Sequence, residues 1–282
     1  MARYYRPRDI ADALQVLREE DARLLLGGTD LLVGLRHHTV DPDIIVDLKT
    51  ASDLRPPISI SDDGVSVGPA LTMAALASTP QVQEWFPGLV EAALTVGSVA
   101  IRNRASLIGN ICNGSPAADT APALLVHRAR VTIASISGER TVPLSEFFLA
   151  PRKTQCAASE IVTALEIPRP ADGSASAFQR LTRRRGVDLA TVSVAAAVSR
   201  RGDVSLGIGA MGPTTIHAEI DEPIDATDAV AVDAALDPLL EVLRPISDVR
   251  ASKEYRAAMV RVLARRAVLA AANRRTPERL AS

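Results

Sequence analysis

Aromatic side chains are scarce: the 282 residues include one tryptophan, three tyrosines and four phenylalanines. That excludes an aromatic-rich face for stacking bases or sugars. Cysteine is scarcer still, with only Cys112 and Cys156, so a disulfide framework and a four-cysteine iron–sulfur or zinc site within this chain are both excluded. The four histidines, His37, His38, His127 and His217, show no His-Glu-x-x-His or comparable spacing, and surface or loop positions are expected for them rather than metal ligation. No excess charge of one sign exists either, since 32 basic residues face 33 acidic ones. Broad attraction to phosphate backbones or anionic membranes is therefore not expected, and no nucleic-acid partner is implied. Lysine occurs only at positions 49, 153 and 253, which reads as coding bias towards arginine. No apolar run approaches the roughly 20 residues of a membrane span, and residues 1–9 lack the apolar core of a signal peptide. A cytoplasmic protein is the expectation.

What is present is a 47% apolar chain of about two domains' length. Asp9 is placed to cap a helix carrying Ile10, Ala13, Leu14 and Leu17 on one face. Leu24, Leu25 and Leu26 read as a strand stopped by Gly27 and Gly28, with Thr29, Asp30 and Leu31 opening a helix. A strand is expected at residues 44–48, and alternation on either side of Asp62, Asp63 and Gly64 signals a hairpin. Residues 88–100 read as a packed helix running into a loop, and residues 102–122 as a long irregular loop. Further strands are expected at 131–136 and 161–167. Residues 168–177, rich in Pro, Gly, Ala and Ser, form the candidate domain boundary. Beyond it come strands near 178–185, 192–198 and 204–211, then a terminal helix from about Ser252. On that helix Tyr255, Met259, Val262 and Leu263 are expected to face inward, and Arg256, Arg261, Arg265 and Arg266 outward. No long βα alternation is present, which disfavours a doubly wound parallel fold.

Two segments have the composition of a ligand cradle. In the first, Gly27 and Gly28 let backbone amides approach an anion, and Thr29 adds a hydroxyl; the same residues also suit an ordinary strand-to-helix turn. In the second, Thr95 to Ser98, Ser106, Gly109, Asn110, Asn113, Ser115 and Asp119 suit a polar ligand held by main-chain amides, or a well-ordered Asx- and Ser-turn loop. Two such loops in one domain favour the ligand, each holding one side of a diphosphate. No nucleophile stands beside a histidine in sequence, so hydrolase chemistry is disfavoured.

The same residues carry a resemblance. Leu26-Gly27-Gly28-Thr29-Asp30-Leu31, Ile101-Arg102-Asn103, Ser106-Leu107-Ile108-Gly109-Asn110 and Ser115-Pro116-Ala117-Ala118-Asp119 resemble the FAD-binding (medium) subunit of the molybdenum hydroxylases, the xanthine dehydrogenase and carbon monoxide dehydrogenase family. Pro151-Arg152-Lys153-Thr154, residues 207–213, and Ser247-Asp248-Val249-Arg250 with Tyr255-Arg256 extend the match over nearly the whole chain. The resemblance implies an α+β chain: a vanillyl-alcohol-oxidase-like (PCMH-type) FAD-binding domain at 1–170, with subdomains of about 1–55 and 56–170, and a C-terminal α+β flavoprotein domain at 175–282. It implies non-covalently bound FAD, with Leu24, Leu25, Leu26, Gly27, Gly28, Thr29, Asp30 and Leu31 together with Ser106, Leu107, Ile108, Gly109 and Asn110 around the pyrophosphate. Asp119 would bond towards the adenosine part, Val162 and Arg180 would lie close to the flavin, and Asp188-Leu189-Ala190 would line the ring. By the same likeness, a large molybdopterin-binding subunit and a small [2Fe–2S] subunit are partners, and this chain transfers electrons without a catalytic acid or base of its own.

Two departures stand out. The family commonly has paired glycines where this chain has Gly97-Ser98 and Ile108-Gly109, so either Ile108 points into the core or FAD affinity is weakened. The motif forms favour a xanthine dehydrogenase-like member over a carbon monoxide or aldehyde dehydrogenase-like one. The rivals are a free-standing FAD oxidoreductase and an assembly protein that has lost its flavin.

Overall fold

Asp9 accepts a hydrogen bond from the Asp12 amide and starts the helix Ile10–Glu19, whose Ala13, Leu14 and Leu17 are buried. They pack on a three-stranded parallel sheet, Arg3–Tyr5, Ile44–Asp47 and Ala22–Leu25, with Ile44–Asp47 in the middle. In this computed structural model, which describes residues 2–275, the α+β class expected from the sequence is observed.

The hairpin signal is also realised. Ile58–Ser61 and Gly64–Val67 pair antiparallel and form one side of a five-stranded sheet that continues through Ile161–Pro168, Arg130–Ser135 and Gly138–Pro143. Short helices, among them Met73–Ser78, Pro87–Thr95, Leu107–Cys112 and Thr120–Leu125, share a core with it around Phe86, Leu89, Leu124 and Phe147. Residues 102–122 are therefore not the irregular loop expected. Ser106 caps Leu107–Cys112, and a serine N-cap is the signal that could have found that helix.

The remaining chain forms a four-stranded antiparallel sheet, Ala175–Leu181, Val192–Val198, Val204–Gly209 and Ile216–Glu219. Two helices cover it, Ala229–Glu241, which sequence reading missed, and Lys253–Arg274. The inward face of the second is corrected: Tyr255 is 49% exposed, whereas Arg256 is buried together with Val260, Leu263, Ala264, Ala267 and Val268. Among the described residues no helix is long and apolar enough to cross a membrane.

The C-terminal sheet docks on the rest of the chain at close range. A β carbon at Gly207 would overlap the Pro122 carbonyl, standing 2.7 Å from its carbon, so the helix Thr120–Leu125 lies directly on the strand Val204–Gly209. Glu91 accepts from the Phe178 amide at 2.8 Å, and Ser176 Oγ accepts from the Gly88 amide at 3.1 Å. His127 is the exception among the histidines. It is buried, lies edge-on to Phe86 and shares a hydrogen bond with Ser176 Oγ at 3.2 Å.

Burial pushes the pKa of His127 down to about 4. The unfolded chain then binds the extra proton more readily, so this contribution to stability is whole above the unfolded value of about 6.5 and is lost as pH falls towards 4. Over that window about 3 kcal/mol is expected to disappear. Urea unfolding from pH 7 to 4 should show the loss, and His127→Gln should flatten it.

Candidate cofactor site

The strand Ala22–Leu25 pairs with the central strand through Leu25, opposite Asp47, and the chain then leaves the sheet through Leu26, Gly27 and Gly28. Gly28 has φ of 75°, which a β carbon disfavours. At Gly27 the requirement is contact: a β carbon would stand 2.7 Å from the carbonyl carbon of Arg104 and overlap its oxygen. The first loop thus rides on the backbone that leads into the second. Among the described residues, the amides of Gly27, Gly28, Thr29 and Asp30 donate to no protein acceptor, and all four residues line one cavity.

The carbonyls before this turn are occupied instead. Lys49 Nζ donates to Leu26 O at 3.0 Å and to Leu25 O at 3.5 Å, and it also pairs with Asp47, whose other carboxylate oxygen accepts from the Tyr4 hydroxyl. Burial works against ionisation of Asp47, yet Lys49 and Tyr4 outweigh it and hold the pKa below the usual carboxylate range. One end of the loop is saturated by a cation while its amides stay free, which is the polarity an anion needs. Lys49 therefore has a structural place that codon preference does not account for.

The second loop is fixed by backbone pairing. Ser106 bridges Thr72, Leu107 N donates to Leu71 O at 3.0 Å, and Met73 N donates to Ala105 O at 2.9 Å. Ser106 Oγ accepts from the Gly109 amide at 3.1 Å. Ile108 lies in the helix Leu107–Cys112, 2% exposed, and packs into the core. It is not among the residues with positive φ, so the departure from paired glycines costs no strain. Gly97 carries the left-handed turn, φ 53°, while Ser98 is extended and accepts from the Ile101 amide at 3.3 Å as a helix cap.

Gly109 has its own constraint, because a β carbon would lie 2.8 Å from Ser106 Oγ. Gly109→Val is expected to push that hydroxyl off the cap and remove bound flavin. An unaltered flavin spectrum in the purified variant would contradict this placement.

Asp119 closes the far side. It is 7% exposed, and its Oδ2 accepts from Arg180 Nη1 at 2.6 Å. Its Oδ1 is buried with no partner. Burial pushes the carboxyl pKa up, and the Arg180 guanidinium offsets only part of that. A buried acceptor of this kind costs about 1–3 kcal/mol when left unmet, and the Thr95 side chain, which also acts to lower the Asp119 pKa, offsets part of that.

The cavity measures about 1060 Å³, at the upper end of the roughly 300–1,000 Å³ usual for ligand sites. Of the sequence-derived set it brings together Leu24, Leu26, Gly27, Gly28, Thr29, Asp30, Leu31, Ser106, Ile108, Gly109, Asn110, Asp119 and Val162. Leu25 and Leu107 are absent from its lining, one paired in the sheet and the other wholly buried in the core. Arg180 reaches it only through Asp119. Thr95, Gly97, Asp188 and Leu189 also line it, as do Arg23 and Arg184, which sequence reading did not single out, and Arg152, which entered only as part of a motif. Arg152 had a signal in the Pro151-Arg152-Lys153-Thr154 motif; nothing set Arg184 apart from its neighbouring arginines. Cys112 also opens on the cavity.

Free amides for a diphosphate and a cavity of this size fit a dinucleotide cofactor. Together with sheets packed against helices, they are the features of a dinucleotide-binding protein. The chain belongs to the FAD-binding subunits of the molybdopterin dehydrogenases: residues 1–170 match the FAD binding domain in molybdopterin dehydrogenase, and residues 176–271 match the CO dehydrogenase flavoprotein C-terminal domain. It is 32% identical over 277 residues to the xanthine dehydrogenase FAD-binding subunit of Escherichia coli O157:H7, covering 95% of this chain and 94% of that one. It is 30% identical to the nicotine 6-hydroxylase medium subunit of Paenarthrobacter nicotinovorans, covering 96% and 98%. The solved carbon monoxide dehydrogenase of Hydrogenophaga pseudoflava contains a chain that superposes with a TM-score of 0.90 at 28% identity, with 98% of each chain covered.

Proposed function

We propose that this chain is the FAD-carrying medium subunit of a three-chain molybdenum hydroxylase of the cytoplasm. A large partner chain with a molybdopterin cofactor oxidises the substrate, and a small partner chain with two [2Fe–2S] clusters relays the electrons here. FAD supplies the redox chemistry, accepting electrons and passing them to an external acceptor. The protein's own residues bind and orient it: the free amides at 27–30 and the loop at 106–110 take the diphosphate, and Asp119 Oδ1 accepts from the adenosine part. Residues 1–170 act as the FAD-binding unit and residues 175–282 as its cover.

The observation that carries this reading is the pair of loops locked together at Gly27 and Arg104 beside a cavity that Asp119 also lines. Two cysteines fit it as well, since they leave the clusters to a partner.

Within the family we favour a xanthine dehydrogenase-type complex, on the Gly27-Gly28-Thr29-Asp30-Leu31 and Ser115-Pro116-Ala117-Ala118-Asp119 motifs. Copurification of a cysteine-rich chain and a molybdenum-containing chain, followed by anaerobic addition of a purine, tests both levels. Flavin bleaching by a purine but not by carbon monoxide is the expected result. Bleaching by carbon monoxide alone would reverse the preference. A lone chain that oxidises an organic substrate without molybdenum would overturn the subunit assignment.

A further inference from the structure

Arg256 is 1% exposed and heads the fully buried side chains by volume, in a helix whose other buried residues are all apolar. A buried cation must be met by its surroundings, and of the Arg256 guanidinium only Nε lacks a partner among the described residues. Its Nη1 donates to Thr191 O at 2.5 Å and to Ala210 O at 3.1 Å, and its Nη2 donates to Asp248 Oδ1 at 2.7 Å. The second oxygen of Asp248 accepts from Arg250 Nη2 at 2.7 Å and from Nε at 3.0 Å. Arg250 Nη1 in turn reaches Ala190 O at 3.4 Å. Burial opposes the charge on Asp248, but the two arginines hold its carboxyl far below the usual range.

Every carbonyl held in this way leads to the cavity. Ala190 and Thr191 follow directly on Val187, Asp188 and Leu189, which line it. Ala210 is left-handed, with φ of 61°, a conformation unfavourable for a residue with a β carbon. Its amide donates to Pro116 O at 2.8 Å, and Pro116 stands between Ser115 and Ala117, both on the cavity wall and close to Asp119. Such strain persists only where the surroundings over-determine it, and the Arg256 bond to Ala210 O is one of the restraints. Arg256 itself does not line the cavity.

We propose that Arg256 is a positioning residue for the flavin cavity: clamped by Asp248, its guanidinium fixes the 187–189 wall relative to the 115–119 wall. The C-terminal helix thereby sets FAD affinity without touching the cofactor. This rests on the assignment of the cavity to FAD.

The test uses the full chain freed of flavin and titrated with FAD, with visible circular dichroism of the bound flavin and urea unfolding as parallel readouts. Arg256→Lys keeps the charge but loses the fork that serves three acceptors. It is expected to weaken FAD binding about tenfold and change the flavin dichroism, with cooperative unfolding retained. Ala210→Gly added to that variant should recover much of the lost affinity, because glycine takes the left-handed φ without help; a merely structural loss would not be recovered in this way. If Arg256→Lys does not fold, Asp248→Asn decides, with a smaller weakening expected. A folded Arg256→Lys or Asp248→Asn with wild-type affinity and dichroism would overturn the proposal, and so would a weakened Arg256→Lys that Ala210→Gly leaves unchanged. A wild-type chain that takes up no FAD would instead fault the assignment of the cavity.

Discussion

Gly27→Val should purify as a folded chain with almost no bound FAD. Glycine is required there because the backbone at residue 27 lies on the Arg104 carbonyl, with a β carbon 2.7 Å from the carbonyl carbon. Valine must move the first loop away from the second, and the free amides of residues 27–30 then no longer converge with residues 106–110. Hydrogen bonds to a charged group contribute about 1.5–3 kcal/mol each, so losing two weakens FAD binding by a factor of about a hundred or more. Fluorescence titration of the flavin-free variant measures it. Wild-type affinity would show that the two loops do not act as one cradle.

Asp119→Ala is the second large effect, and it separates binding from stability. Arg180, whose side chain is 13% exposed, would keep a nearly buried charge with its carboxylate removed. Breaking such a pair from one side costs about 3–5 kcal/mol. The Oδ1 acceptor disappears as well, which removes an acceptor for a donor group of FAD. Adding Arg180→Met should return much of the stability, since no unpaired charge remains. It should not return the FAD affinity. Recovery of both together would mean that Asp119 acts on the flavin only through Arg180.

Local signals made much of the fold legible. The Asp9 cap, the hairpin around Gly64 and the apolar strand Val192–Val198 were all readable because each declares itself over a few residues. Two misreadings have a physical cause. Residues 102–122 carry the composition of a loop, yet Ser106 and its neighbours fold into short helices held by tertiary contacts to residues 71–73. Arg256 reads as solvent-facing for its charge, although it shares the helical stripe of Val260, Leu263, Ala264 and Ala267; what makes a buried arginine possible is the three acceptors that meet it, and these come from positions 191, 210 and 248.

The site was legible in part for the same reason. Glycines and caps mark where a backbone can approach a ligand, and thirteen of the residues named from sequence do line the cavity. Sequence could not show that Gly27 is constrained by Arg104, that Lys49 occupies the carbonyls of Leu25 and Leu26, or that one oxygen of Asp119 lacks a donor. Each of these depends on segments far apart in the chain. Ile108 shows the reverse case: sequence left its effect open, and its helical, core-facing position means that it costs no backbone strain.

The most direct measurement is the flavin content of the purified chain, taken as FAD released by acid per mole of folded protein. One FAD per chain is the expected result, falling to near zero in Gly27→Val with folding intact. A folded wild-type chain with no flavin after incubation with excess FAD would contradict the account at its centre.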